Sequence, residues 1–96
     1  MTASKWQARF PLGQTLMTVG AQAALEAATE EPVELLARHQ SGDWGEMPPE
    51  DARENELSVK QGFRIMSAYT LSSGEKVWVI TEADRSATTI LLPDEY

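Results

Sequence analysis

Residues 75–82 read EKVWVITE, a run that is β-branched or aromatic through most of its length. That composition suits an extended, pleated backbone. Side chains alternate along a strand, so Val77 and Val79 fall on one side and Trp78 and Ile80 on the other. A strand apolar on both faces belongs inside a sheet, with helices over one face and something else over the other. The rest of the chain has to supply its neighbours and its covering.

The neighbours are close in sequence. Upstream, Phe63, Ile65, Ser67, Tyr69 and Leu71 alternate with Arg64, Met66, Ala68 and Thr70, and Ser72-Ser73-Gly74 has hairpin-turn chemistry. Downstream, Ala83-Asp84-Arg85-Ser86 forms a second tight turn into residues 87–92 (ATTILL), which Pro93 stops. These three strands predict an antiparallel C-terminal meander.

Before residue 63 the period is helical. Ala21, Ala24, Leu25 and Ala28 form one stripe, with Thr18 or Gly20 as the cap. Pro32 opens a second helix with Val33, Leu36, Ala37 and Gln40 as its expected inner face, Leu35 and His39 on the neighbouring face, and Gly42 as its left-handed end. Pro48 and Pro49 open a third, with Ala52, Asn55, Val59 and Gly62 as its inner stripe and Leu57 to one side. Leu12 to Thr18 reads as a short strand at one sheet edge. Residues 1–11 have no clear period and are expected to be loosely ordered, with Trp6 and Phe10 as anchors. The expected fold is α+β. An N-terminal strand and two to three helices pack on a three- to four-stranded antiparallel sheet, in a single domain over residues 12–96. The sheet face away from the helices is then open to a partner or a second copy, as in a homodimer.

Composition narrows the function classes. With 96 residues, 42% of them hydrophobic, the chain has the makings of one modest core. Its net charge is −7, from fifteen acids against eight scattered Lys and Arg, which repels phosphate backbones and argues against direct nucleic-acid binding. The same charge suits a protein partner with a basic groove. There is no cysteine, no apolar run of spanning length and no signal-peptide pattern, so a cytoplasmic protein without disulfides or membrane contact is expected. A lone His and acids without calcium-loop spacing give no metal site, and no cofactor fingerprint is present.

Three groups of residues could carry chemistry. His39 is the only side chain whose ordinary pKa lies near 7, and it precedes a loop in which Gly42 and Gly45 bracket Asp43 and Trp44. The structural reading makes this a helix cap that plants the indole against the helices, with His39 bonded to nearby backbone. Asn55 interrupts an apolar stripe and needs partners, and the Asp43–Trp44 loop is the expected one. In the last turn, Asp84 fits a side-chain-to-backbone turn bond and Arg85 is expected to point outward. Arg85 or Arg64 as a phosphate contact, Thr88 or Thr89 as a supporting hydroxyl and His39 as acid/base would make a minimal metal-independent ribonuclease. Trp78 and Trp44 are more naturally core than ligand platform.

Residues 38–47 (RHQSGDWGEM), 54–57 (ENEL), 62–71 (GFRIMSAYTL) and above all 77–96 (VWVITEADRSATTILLPDEY) resemble a family of small uncharacterised proteins of bacterial plasmids, phages and integrative elements. The likeness spans residues 12–96 and implies a mobile-element setting and a cytoplasmic location. It carries over no catalytic residue. The expected function is therefore a non-enzymatic accessory protein acting by protein–protein contact, for instance on a host defence or nucleic-acid-processing protein. The toxin-like ribonuclease is the alternative.

Overall fold

The computed structural model describes residues 7–96. The chain runs β1 (Gln14–Met17), α1 (Val19–Ala28), α2 (Pro32–Ser41), α3 (Pro49–Gln61), β2 (Ile65–Thr70), β3 (Lys76–Thr81), β4 (Ala87–Leu91) and a 3₁₀ turn over Pro93–Glu95. One sheet holds the strands in the order β1-β4-β3-β2, so the α+β class, the edge position of β1 and the meander stand as expected. One pairing differs. β1 lies parallel to β4, with Thr15 opposite Thr88 and Met17 opposite Ile90, which makes the sheet mixed. β2 runs in the same direction as β1, so the three helices together act as the crossover that parallel strands require.

The two-sided strand sets the layers. Val77 and Val79 of β3, Tyr69 of β2 and Ile90 of β4 face the helices and meet Ala21, Ala24 and Leu25 of α1 and Leu35 of α2. Each fully buried Leu or Ile there contributes about 2 kcal/mol. The alanine stripe of α1 allows close approach, and Thr18 caps it by accepting the Ala21 N–H at 3.1 Å. α2 and α3 open on Pro32 and Pro49 and end on left-handed Gly42 and Gly62.

The inner face of α2 is a correction. Leu35 and His39 are buried and Leu36 half-buried, whereas Val33 is 67% exposed. Hydrophobicity alone favours Val33; the burial of His39 depends on partners from distant strands. In α3, Asn55 and Ser58 are buried, Ala52 and Val59 half-buried, and Leu57 exposed.

The face opposite the helices is covered in part by the chain's own C-terminus. The Tyr96 ring meets Trp78 edge-on at 5.6 Å, and the Arg64 guanidinium donates to the Tyr96 hydroxyl. Glu95 holds the turn down, accepting from the Thr18 hydroxyl at 2.6 Å and the Leu92 N–H at 2.8 Å. Ile80 is only 4% exposed. Trp6 lies outside the described residues. Phe10 is buried, and the Arg9 N–H donates to the Gln40 carbonyl at 2.9 Å.

Candidate functional site

Of the residues singled out above, only Thr88 belongs to the chain of buried hydroxyls that gathers around His39. α2 carries its ring onto the sheet, where it is 0% exposed beneath Phe10 and Trp44, both edge-on to it at 5.3 and 6.0 Å. Nδ1 lies 2.6 Å from the Ser67 hydroxyl of β2, and Nε2 lies 2.9 Å from the Thr81 hydroxyl of β3. Thr81 is 2.7 Å from the Thr88 hydroxyl of β4, and Thr88 donates to the Leu12 carbonyl at 2.7 Å.

The direction of every proton follows. A carbonyl only accepts, so the Thr88 proton goes to Leu12 and Thr81 must donate to Thr88. The Thr81 oxygen then accepts the Nε2–H of His39, and Nδ1 accepts from Ser67. The result is a neutral imidazole in one tautomer, linking α2, three strands and the segment before β1. Burial, with the positive charge of Arg85 nearby, pushes the His39 pKa down to about 3. A general acid/base needs access to substrate and a pKa near the working pH. This ring has neither.

Arg85 is turned inward, contrary to the expectation that it points to solvent. Its guanidinium sits 5.6 Å from the Phe10 ring centre and donates to the carbonyls of Phe63 and Ser58 at 2.7 Å, and of Glu82 and Ala83 at 3.2 Å. Both of its terminal nitrogens are bonded to backbone. Asp84 does make the expected turn bond, accepting the Ser86 N–H at 3.0 Å. Thr88 joins the histidine chain, but Thr89 projects to the opposite sheet face with Ile80 and Leu16. Arg64 is also away from His39, bonded to Tyr96 and bordering a hollow of about 210 Å³ whose rim includes Asp51 and Glu54. Those acids disfavour a phosphate there.

Asn55 also has a different partner from the expected loop. Its amide donates to the Met66 carbonyl at 2.7 Å and accepts the Met66 N–H at 3.2 Å, pairing with the outer edge of β2 as a strand residue would. One step along that edge, Ala68 donates to the Trp44 carbonyl at 3.2 Å and accepts the Glu46 N–H at 2.7 Å. The glycine-bracketed loop is thus a fragment of β-bridge. It is fixed further by the Tyr69 hydroxyl on the Asp43 carbonyl (2.6 Å), the Arg38–Asp43 ion pair (2.7 Å) and the Trp44 indole N–H on Glu56 (3.1 Å). Burial opposes the charge on Asp43, but the Arg38 guanidinium and the Gly45 N–H outweigh it and hold the carboxyl below its usual range.

His39 bonds not to nearby backbone, as expected, but to the hydroxyls of Ser67 and Thr81 on distant strands. The sequence signal for these two residues is a hydroxyl at an inward position of an otherwise apolar strand. Among the described residues, no group of three His, Asp or Glu side chains is placed to hold a metal, and no helix is long and apolar enough to cross a membrane. Compared with family models, with curated proteins and with solved structures, the chain matches none.

Proposed function

We propose that this protein is a non-enzymatic accessory factor of a bacterial mobile genetic element. It acts in the cytoplasm by contact with a basic protein, such as a host defence or nucleic-acid-processing protein whose groove is positively charged. One observation carries the reading. His39, Thr88 and Arg85 are bonded within the fold, while the net charge of −7 is left to the exterior. Such a surface raises encounter rates with positive grooves and competes with nucleic acid for them. The mobile-element setting rests on the resemblance carried by residues 12–96. The ribonuclease reading draws no support from a buried neutral His39 and a backbone-bound Arg85.

The test is affinity capture by the tagged chain in bacterial lysate, at low salt and with nuclease added. A basic nucleic-acid-binding protein should be enriched, eluted by salt, and displaced by added polynucleotide. Absence of any specific partner, or ribonuclease activity that His39→Ala abolishes, overturns the reading.

A further inference from the structure

The two edges of the sheet are treated in opposite ways. The outer edge of β2 is closed by Asn55 on Met66 and by the bridge from Trp44 and Glu46 to Ala68. The outer edge of β1 has no such cover among the described residues. Gln14 and Thr18 send their N–H groups to Ser86 and Ile90 of the β4 side, so by alternation Thr15 and Met17 direct N–H and C=O outward. An exposed edge is a template for a further strand, and proteins ordinarily block it with charge, proline or a bulge. None of these lies within Gln14–Met17.

The surroundings of this edge are shaped and charged. A hollow of about 140 Å³ is lined by Thr15, Leu16, Met17, Pro32, Leu36 and Ile90. Leu16 points to one sheet face while Thr15 and Met17 point to the other, so a hollow touching all three runs along the strand's rim. It shares Met17 and Pro32 with a larger groove of about 420 Å³, floored by Leu25 and edged by Glu26, Glu30 and Glu31. Residues 10–37 contain four glutamates and no Lys, Arg or His. The edge is therefore apolar underneath and negative around.

We propose that β1 is a strand-addition site for an extended, basic segment of the protein partner, which pairs with Thr15 and Met17 and sets cationic side chains against Glu26 and Glu31. Main-chain pairing supplies affinity and the flanking pockets supply choice, as in other edge-augmenting modules. A second copy of the chain is a poor occupant, because it would bring the same glutamates to the same edge. The proposal rests on the reading of the chain as a binder of basic proteins and names the surface that binds.

The experiment uses a fluorescent peptide of alternating valine and lysine, with a valine–glutamate peptide as control, and follows binding by anisotropy and by amide chemical shifts. Thr15→Pro is the decisive variant. The Thr15 N–H faces away from β4, so proline removes an outward donor and no ladder bond, a substitution edge strands tolerate. The basic peptide should bind and shift the amides of Thr15 and Met17. Thr15→Pro should weaken it by about tenfold or more with an unchanged melting midpoint, and Glu26→Lys with Glu31→Lys should weaken it by a similar factor. Equal binding of the two peptides, no binding of the basic one, shifts confined to other elements, or a wild-type dimer that Thr15→Pro dissociates would each overturn the proposal. If Thr15→Pro still captures a basic partner from lysate as the wild type does, only the edge assignment fails. If the wild type captures none, the broader reading fails first.

Discussion

His39 shows how one side chain can look functional in sequence and act structurally. Its neutral form is required by the proton order from Ser67 to Leu12, and folding lowers its pKa from an ordinary 6.5 to about 3. The unfolded chain therefore binds a proton near pH 6.5 that the folded chain refuses. Stability is fully present above that pH and is lost as pH falls from 6.5 toward 3, by about 1.4 kcal/mol per pH unit. Asp43, Glu46, Glu56, Asp84 and Glu95 are all held below the usual carboxylate range, so their stabilising effect is lost only at lower pH. Urea unfolding between about pH 6.5 and pH 4.5 should show this slope, and His39→Gln should flatten it while lowering stability at pH 7. A flat wild-type profile in that window would contradict the buried neutral ring. Gly45 is as constrained, for a steric reason. Its φ is +70°, and a Cβ would overlap the Ala68 carbonyl and the Tyr69 ring. Gly45→Ala should cost about 3 kcal/mol, measurable as a fall in the urea midpoint at constant m.

The elements were read well where local chemistry decides them and less well where distant partners do. Thr18, Pro32, Gly42, Pro49 and Gly62 mark helix ends through their own backbone preferences, and Ser72-Ser73-Gly74 and Asp84 mark turns the same way. The parallel pairing of β1 with β4 was not legible, because residues some seventy positions apart choose each other through the whole fold. Nor was the burial of His39, whose solvation is replaced by hydroxyls from two strands that no single segment contains. Asn55 was correctly marked as a buried amide in need of partners. Its target, Met66, is not legible in sequence because the outer edge of β2 exists only once the sheet has formed. Arg85 is expected to face solvent because a tight turn ordinarily projects its cation outward. Here its φ of 60° aims the guanidinium back at the C-terminal end of α3. Arg85→Gly relieves the left-handed backbone strain yet should lower stability by about 1 kcal/mol, because the part-buried Ser58 carbonyl and the Phe63 carbonyl lose a charged donor. Faster amide exchange confined to the end of α3 and the start of β2 would identify the lost tie. An unchanged exchange pattern would mean that the turn, and not the guanidinium, holds these elements together.

The whole molecule carries its charge unevenly, and under the proposed function stability and association should respond to salt in opposite ways. Of its cations, Arg9, Arg38 and Lys76 are committed to Glu56, Asp43 and Glu46, while Arg64 and Arg85 bond to Tyr96 and to backbone. The glutamates from Glu26 to Glu34 have no cation between them in sequence, and α3 opens on Glu50 and Asp51. Surface ion pairs of this kind contribute little each, so uncompensated repulsion among the remaining acids sets the sign of the net effect. Salt screens that repulsion once the Debye length falls below the spacing of the charges. Raising NaCl from about 20 mM to about 500 mM should therefore increase the thermal midpoint modestly, whereas a fold held by its salt bridges would lose stability. Over the same range, association with a basic partner should slow by about tenfold or more, with dissociation changed much less, because long-range attraction governs encounter. Stopped-flow association and thermal melts on one preparation would measure both. The two trends should run against each other, and Glu26→Lys with Glu31→Lys should diminish both together. A variant in which only one of them changed would show that the acids proposed to meet a partner are not those straining the fold.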